Sequence, residues 1–185
     1  METVRTEKAE RQLETVRLRL RPFAANDLNE LHRLWADPNV RRYLWDDLTI
    51  SRAQAEAEII KSTESFNNRG FGFWSLFFKE NHPDLIGFCG LRVFGTPDEV
   101  EILYGIHPSH WGKGLATEAS AAILNFGFQI CRLPKIYAGA DAPNTASLRV
   151  MEKLGMTYDG LRIVNGLEAV YYCLSNSSYN EVSTR

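Results

Sequence analysis

The residues of this 185-residue chain best placed to do chemistry lie between Glu99 and Ala122. Gly112 and Gly114 bracket Lys113 just after a stretch, 99–106, in which Glu99, Glu101, Leu103 and Gly105 alternate with Val100, Ile102, Tyr104 and Ile106. Alternation of period two predicts a strand with two unlike faces, and His107-Pro108 stops it. Beyond the glycines, Ala119, Ala122, Ile123, Phe126 and Ile130 recur at spacings of three and four, one face of an amphipathic helix. A strand feeding a glycine loop at a helix start gathers unpaired N–H groups, backed by the positive end of the helix dipole, around a space suited to a phosphate. The glycines let the backbone approach the anion and turn those N–H groups inward. Glu99 and Glu101 share one face of the strand, and downstream Asn144 and Ser147 stand one helical turn apart. His107 and His110 flank the loop as surface residues rather than catalytic ones.

Spacing separates the possible anion loops. A Walker loop places Ser or Thr after Gly-Lys, whereas Lys113 is followed by Gly114. A dinucleotide fingerprint needs a third glycine where Thr117 stands and an acidic residue about 20 positions on, where this chain has Leu133, Pro134 and Lys135. Neither pattern fits.

What remains, Trp111-Gly112-Lys113-Gly114-Leu115-Ala116, resembles the pyrophosphate loop of the GNAT acetyltransferases, in which Gln/Arg-x-x-Gly-x-Gly/Ala follows the central strand. Trp111 departs from the usual Gln or Arg. It is similar to the RimJ/RimL-like branch, the ribosomal-protein N-acetyltransferases, as is the continuation Ala116-Thr117-Glu118-Ala119. A second motif, from Asn144 through Ser147 and Met151 to Gly155-Met156, resembles the family's later helix, and the distance between the motifs suits one intervening helix and strand. The resemblance covers residues 16–174. It implies an α/β fold of the acyl-CoA N-acyltransferase kind: a mostly antiparallel sheet with one splayed parallel strand pair and flanking helices.

The same resemblance implies acetyl-CoA as co-substrate and no metal. Ile106, Trp111, Gly112, Lys113, Gly114, Leu115, Ala116, Thr117 and Asn144 would hold it, with the pantetheine arm against the backbone of Ile106 and its neighbours. Transfer to an amine needs the amine neutral, the developing oxyanion stabilised and the leaving thiolate protonated. Glu101 matches a glutamate often found in this branch and is the expected base acting through water, with Glu99 as the alternative. The family's usual acidic Tyr falls at Met151, which has no proton to give. Ser147, matching a serine proposed as donor in the branch, takes that role beside Asn144. A modest base suits a protein N-terminal α-amine, of pKa about 8, better than a lysine or polyamine nitrogen of about 10. The alternatives are acetylation of a small amine, such as a polyamine, an amino acid derivative or an antibiotic, and an acyl-CoA-binding module without turnover.

Bulk properties agree. The length suits one domain with a substantial core. A net charge of −2 argues against a nucleic-acid partner. Cys89, Cys131 and Cys173 lie far apart in apolar stretches and read as core thiols, and no Cys/His cluster has metal-ligand spacing. The charged N-terminus is neither signal nor anchor, so a cytoplasmic enzyme with no membrane partner is expected, monomeric or homodimeric.

The remaining elements position the site. Residues 1–14 read as a loose extension, 15–174 as the acetyltransferase domain and 175–185 as a polar tail. Residues 15–21 alternate as a strand closed by Pro22, and Asn26 or Asp27 caps a helix carrying Leu28, Leu31, Leu34 and Trp35, which ends at Asp37-Pro38-Asn39. Ser51 caps a helix through Ala53, Ala57 and Ile60 to Phe66. Between these helices Tyr43 and Trp45 either contact an acceptor or pack. Strands over 71–79 and 85–94, joined by a loop holding a solvent-facing His82, form an antiparallel meander with 99–106. A strand over 135–140 pairs parallel to the central strand because a helix crosses between them. Asn144 opens the last helix and Gly155 closes it, and Asn165-Gly166 turns a terminal hairpin. Val164, Val170, Tyr171 and Tyr172 serve either the core or a dimer interface.

Overall fold

The computed structural model describes residues 11–80 and 84–183. The expected extension up to residue 10 and His82 lie outside them. Eight strands form one sheet in the order β1-β2-β3-β4-β5-β6-β8-β7. They are β1 (Leu13–Glu14), β2 (Leu18–Pro22), β3 (Phe73–Phe78), β4 (Gly87–Val93), β5 (Val100–Ile106), β6 (Lys135–Asp141), β7 (Thr157–Val164) and β8 (Leu167–Ser175). Among the described residues six α-helices accompany it: α1 (Leu28–Ala36), α2 (Pro38–Leu44), α3 (Arg52–Arg69), α4 (Leu115–Asn125), α5 (Thr145–Lys153) and α6 (Asn176–Ser183). The meander β3-β4-β5 is antiparallel, and β5 and β6 pair in parallel at Glu101 and Tyr137. The fold is therefore the mixed α/β sheet expected, mostly antiparallel with one short parallel contact.

Alternation sorts the core onto two faces. Cys89, Leu91, Ile102 and Ile106 pack with Leu115, Ala119, Ile123 and Met151 under α4 and α5. Phe88 and Leu103, one register step away, pack with Leu31, Trp35, Val40 and Ile59 under α1 to α3. Residues of β5 therefore look either toward the glycine loop or toward the first three helices. The terminal hairpin turns at Asn165 and Gly166, with φ of 50° and 80°, which places both in the left-handed region favoured by Asn-Gly.

Four local expectations change. The sheet starts at Leu13, which pairs with Leu20, two residues ahead of the expected first strand. Helix α3 buries Ala55, Ile59, Ser62 and Phe66, while Ile60 is 52% exposed. Alanines carry too little apolar area to fix a helix's rotation, and Phe66, edge-on to Trp74 at 4.7 Å, fixes it instead. Ile130 is 68% exposed because α4 runs into a π-turn, Phe126–Ile130, in which Cys131 N–H bonds Phe126 O. Each π-type bond takes in one extra residue, so the apolar stripe shifts off Ile130. The tail forms α6, tied down as Ser178 N–H donates to Ser175 Oγ at 3.2 Å and Tyr179 OH donates to Asn125 Oδ1 at 3.2 Å.

Asp27 stands at the N-cap of α1, but its side chain makes no cap bond to that helix. It is buried, takes a bidentate ion pair from Arg21 at 2.8 and 2.6 Å, and accepts from Ser75 Oγ at 2.8 Å and from Ala24 N–H at 3.0 Å. This joins β2, β3 and the entry to α1.

Candidate active site

Backbone dictates the anion loop. Gly112 and Gly114 take φ of 74° and 75°, and a Cβ on Gly112 would meet nothing within 4 Å, so conformation rather than crowding demands glycine there. Gly114 is the N-cap of α4 and supplies no side-chain cap, so the first-turn N–H groups of Leu115, Ala116 and Thr117 lack the usual side-chain acceptor. A diphosphate, with several acceptor oxygens and negative charge, fits that cradle.

The loop is held from two sides. Trp111, 51% exposed, donates its indole N–H to Ile106 O at 2.6 Å, so the residue that departs from the family pattern ties the loop to the end of β5. On the other side Glu118 accepts from the Thr15 hydroxyl at 2.5 Å, from Arg17 N–H at 2.8 Å and from the Arg17 guanidinium at 2.6 Å, and Arg17 also donates to Lys113 O at 2.9 Å. Lys113 Nζ donates to Ser109 O at 3.2 Å, which leaves a second cation on the loop surface. His107 bonds Ser109, and His110 lies edge-on to Phe78.

From this loop a cleft runs along β5. His107 N–H bonds Ile86 O, and the alternation of an antiparallel ladder then turns the main-chain groups of Ile102, Tyr104 and Ile106 away from β4, toward β6. Since β5 and β6 pair only at Glu101 and Tyr137, Tyr104 and Ile106 lie past the last pairing, where the strands have parted.

The predicted catalytic residues fall on opposite sides of that parting. Asn144 is the N-cap of α5, its Oδ1 accepting from Ser147 N–H at 3.2 Å. Ser147 Oγ lies 2.8 Å from the Tyr104 hydroxyl, which also donates to Ser147 O at 3.2 Å. Burial pushes the Tyr104 phenol well above its usual pKa, outweighing the Ser147 hydrogen bond, so it stays protonated. Met151, in the place of the family's tyrosine, is buried in the core.

Glu101 faces the other way. It is 2% exposed, and its Oε1 takes Arg92 Nε and the second Arg92 nitrogen at 2.6 Å each, while Tyr171 OH donates to Oε2 at 3.4 Å. Burial raises its pKa above the ordinary carboxylate value, and the attraction of Arg92 reduces that rise without cancelling it. Glu99 is instead paired with Arg162 at 3.1 Å, at the edge of the same face. Tyr43 stacks under the Arg42 guanidinium, and Trp45 packs edge-on to Trp35. Of the four hairpin residues, Tyr171 is buried in the core, stacked on Phe94. Among the described residues no group of His, Cys, Asp and Glu is placed to hold a metal ion, and no helix is long and apolar enough to cross a membrane.

A sheet that parts beside a phosphate-ready helix start, with a carboxylate on one face and hydroxyls on the other, suits the acyl transfer that the sequence resemblance implies. Residues 17–157 match the family described as acetyltransferase (GNAT) domain. Over 154 residues the chain is 31% identical to the uncharacterized N-acetyltransferase p20 of Bacillus licheniformis, covering 80% of this chain and 84% of that protein. It is 25% identical over 143 residues to the spermidine N(1)-acetyltransferase of Escherichia coli K12, covering 77% and 74%. The fold superposes on RimL, a ribosomal L7/L12 α-N-protein acetyltransferase solved with coenzyme A, with a TM-score of 0.75 at 16% identity, covering 90% and 99%. The chain belongs to the GNAT acetyltransferase family and is an acetyl-CoA-dependent N-acetyltransferase.

Proposed function

We propose that this enzyme acetylates the α-amine at a protein N-terminus, in the manner of the RimJ/RimL-like branch. The observation that carries the reading is the charge balance of the acceptor face. Glu101 is paired with Arg92, and Glu58, which with Arg92 lines a pocket on the side of the sheet facing α1 to α3, is paired with Lys61 at 2.7 Å. A polyamine brings further positive charges that need acidic partners, whereas an α-amine brings one that is lost before attack.

In this reading Gly112, Lys113, Gly114, Leu115, Ala116 and Thr117 hold the pyrophosphate through backbone N–H groups and the lysine charge. Trp111 fixes the loop, and the backbone of Ile106 lines the pantetheine channel through its amide, its carbonyl being held by Trp111. Acetyl-CoA, when bound, supplies an activated acetyl thioester. Glu101 accepts the proton of the attacking amine through water, and its raised pKa makes it a better acceptor than an exposed carboxylate. Ser147 donates a proton at the sulfur, and Asn144 positions Ser147 by capping its helix.

Calorimetric titration of acetyl-CoA tests the site, comparing wild type with Gly114→Glu, whose carboxylate would enter the anion cradle. Micromolar binding lost in a folded mutant is expected. Thiol release is then followed with N-terminal peptides and with spermidine. A kcat/KM at least tenfold higher for peptides supports the reading, and the reverse order replaces it with a small-amine enzyme. Absence of acetyl-CoA binding by wild type removes both.

A further inference from the structure

On the side of the sheet facing α1 to α3, a pocket of about 40 Å³ is lined by Phe23, Trp35, Trp45, Phe88, Leu103 and Arg92. One water-sized group needs roughly 10–15 Å³ of such space, so there is room for about three. The pocket adjoins the proposed base, because Arg92 at its rim is the residue bonded to Glu101. Its walls are aromatic and tightly oriented: Trp35 meets Trp45 edge-on at 6.0 Å and Phe88 edge-on at 5.8 Å.

The indole N–H groups of Trp35 and Trp45 are both buried and have no partner among the described residues. Trp35 itself is only 3% exposed. Buried donors are nearly always satisfied, and two residues that line one small pocket each carry an unsatisfied one, which is costly. The charged groups at the rim already have partners, so what the pocket lacks is an acceptor atom rather than a counter-charge. An ammonium has no lone pair to offer, and a carboxylate would bury a charge that Arg92, engaged by Glu101, does not fully answer.

We propose that this pocket receives a neutral, hydrogen-bond-accepting oxygen of the amine acceptor, bound by the indole N–H groups of Trp35 and Trp45, and that these two residues set acceptor specificity. The proposal rests on the acetyltransferase reading of the Glu101 face. The oxygen is a hydroxyl on the group beside the amine or the first carbonyl of a peptide, which share this chemistry.

Four acceptors and two variants test it. The acceptors are peptides beginning with Thr or Val, whose side chains differ by hydroxyl for methyl, and the corresponding small pair, 1-amino-2-propanol and isobutylamine. The variants are Trp35→Phe/Trp45→Phe, which keeps both aromatic walls, and Trp45→Phe alone, retained because Trp35 is a core residue. Folding is checked by retained acetyl-CoA binding and a cooperative melt. Loss of a buried hydrogen bond costs on the order of tenfold in kcat/KM, so the oxygen-bearing acceptors lose at least tenfold more than isobutylamine in the double variant. Trp45→Phe alone gives a smaller difference in the same direction. Loss with the Thr peptide but not the Val peptide assigns the hydroxyl, and equal loss with both peptides assigns the carbonyl. If only the small amines are turned over, the peptide reading falls while the small pair still tests the pocket. If isobutylamine loses as much activity as the oxygen-bearing acceptors, or no acceptor loses activity, the proposal is overturned and the acetyltransferase stands. If acetyl-CoA binds but no acceptor is acetylated, the proposal and the acceptor reading fall together.

Discussion

Tyr104 and Ser147, 43 residues apart, place their hydroxyl oxygens 2.8 Å from each other across the interface of β5 and α5. Ser147 has a small, weakly acidic hydroxyl, and the protonated phenol within hydrogen-bond reach of it can resupply the proton it gives away. With the family's tyrosine position occupied by a core methionine, this pair is the proton source in the proposed mechanism. Ser147→Ala is expected to lower kcat by about 10²-fold, within the usual range for losing a general acid. Tyr104→Phe should lower it by roughly tenfold with the KM for acetyl-CoA unchanged, because the phenol acts through Ser147. Thiol-release kinetics at saturating acceptor decide it. Full activity in Ser147→Ala would return the proton transfer to solvent.

Glu118 binds the first strand to the anion loop. Burial alone would raise its pKa, but hydrogen bonds from Thr15 and Arg17 outweigh that and hold it below the ordinary value of 4.5. A carboxylate depressed in the folded state stabilises fully above its unfolded pKa, and that contribution disappears as pH falls through the folded value. Glu118→Gln is therefore expected to be less stable by about 1–3 kcal/mol at pH 7, with the gap to wild type closing below pH 4.5. Arg17 would no longer be held against Lys113 O, so the Kd for acetyl-CoA should rise several-fold. Thermal melts over pH and calorimetry measure the two effects, and a pH-independent stability gap would exclude the charge as its cause.

The half-exposed Trp111 offers a separate handle on the loop. Trp111→Phe removes the indole N–H that Ile106 O accepts while keeping an aromatic ring. Little stability is lost at so exposed a site, and acetyl-CoA affinity should fall about three- to tenfold, the usual scale for one hydrogen bond. Unchanged affinity in calorimetry would show that the glycines alone set the loop.

The sequence made the loop, the strand order of the meander, the parallel crossover and the Asn-Gly hairpin legible because each is written in local spacing. Gly114 and Asn144 cap α4 and α5 as their neighbours predict. What stayed hidden were pairings across the fold. Tyr104 read as one more apolar strand position, and only the docking of α5 over β5 gives it Ser147. Arg17 read as a polar strand residue until Glu118, 101 residues away, explained it. Arg92 likewise had no visible partner until antiparallel register set it opposite Glu101. The π-turn at Phe126–Ile130 left no period to detect, since one inserted residue breaks the stripe only at its end.

In the proposed mechanism Glu101 and Arg92 together set the acid limb of the reaction. A base must be ionised to accept a proton, so with saturating acceptor kcat should rise with pH through a pKa above the carboxylate's ordinary 4.5. Glu101→Gln should cost about 10²- to 10⁴-fold and abolish that limb. Arg92→Gln provides the sharper measurement. Burial is the main force raising the Glu101 pKa and Arg92 the main one opposing it, so removing the guanidinium moves the limb to higher pH. Its side chain is 46% exposed, so the enzyme should stay folded. Near pH 8 Arg92→Gln then recovers more of its maximal rate than at pH 6. An ion pair that served only to stabilise the fold would lower kcat at every pH by the same factor, and that outcome would remove Glu101 from the role of base.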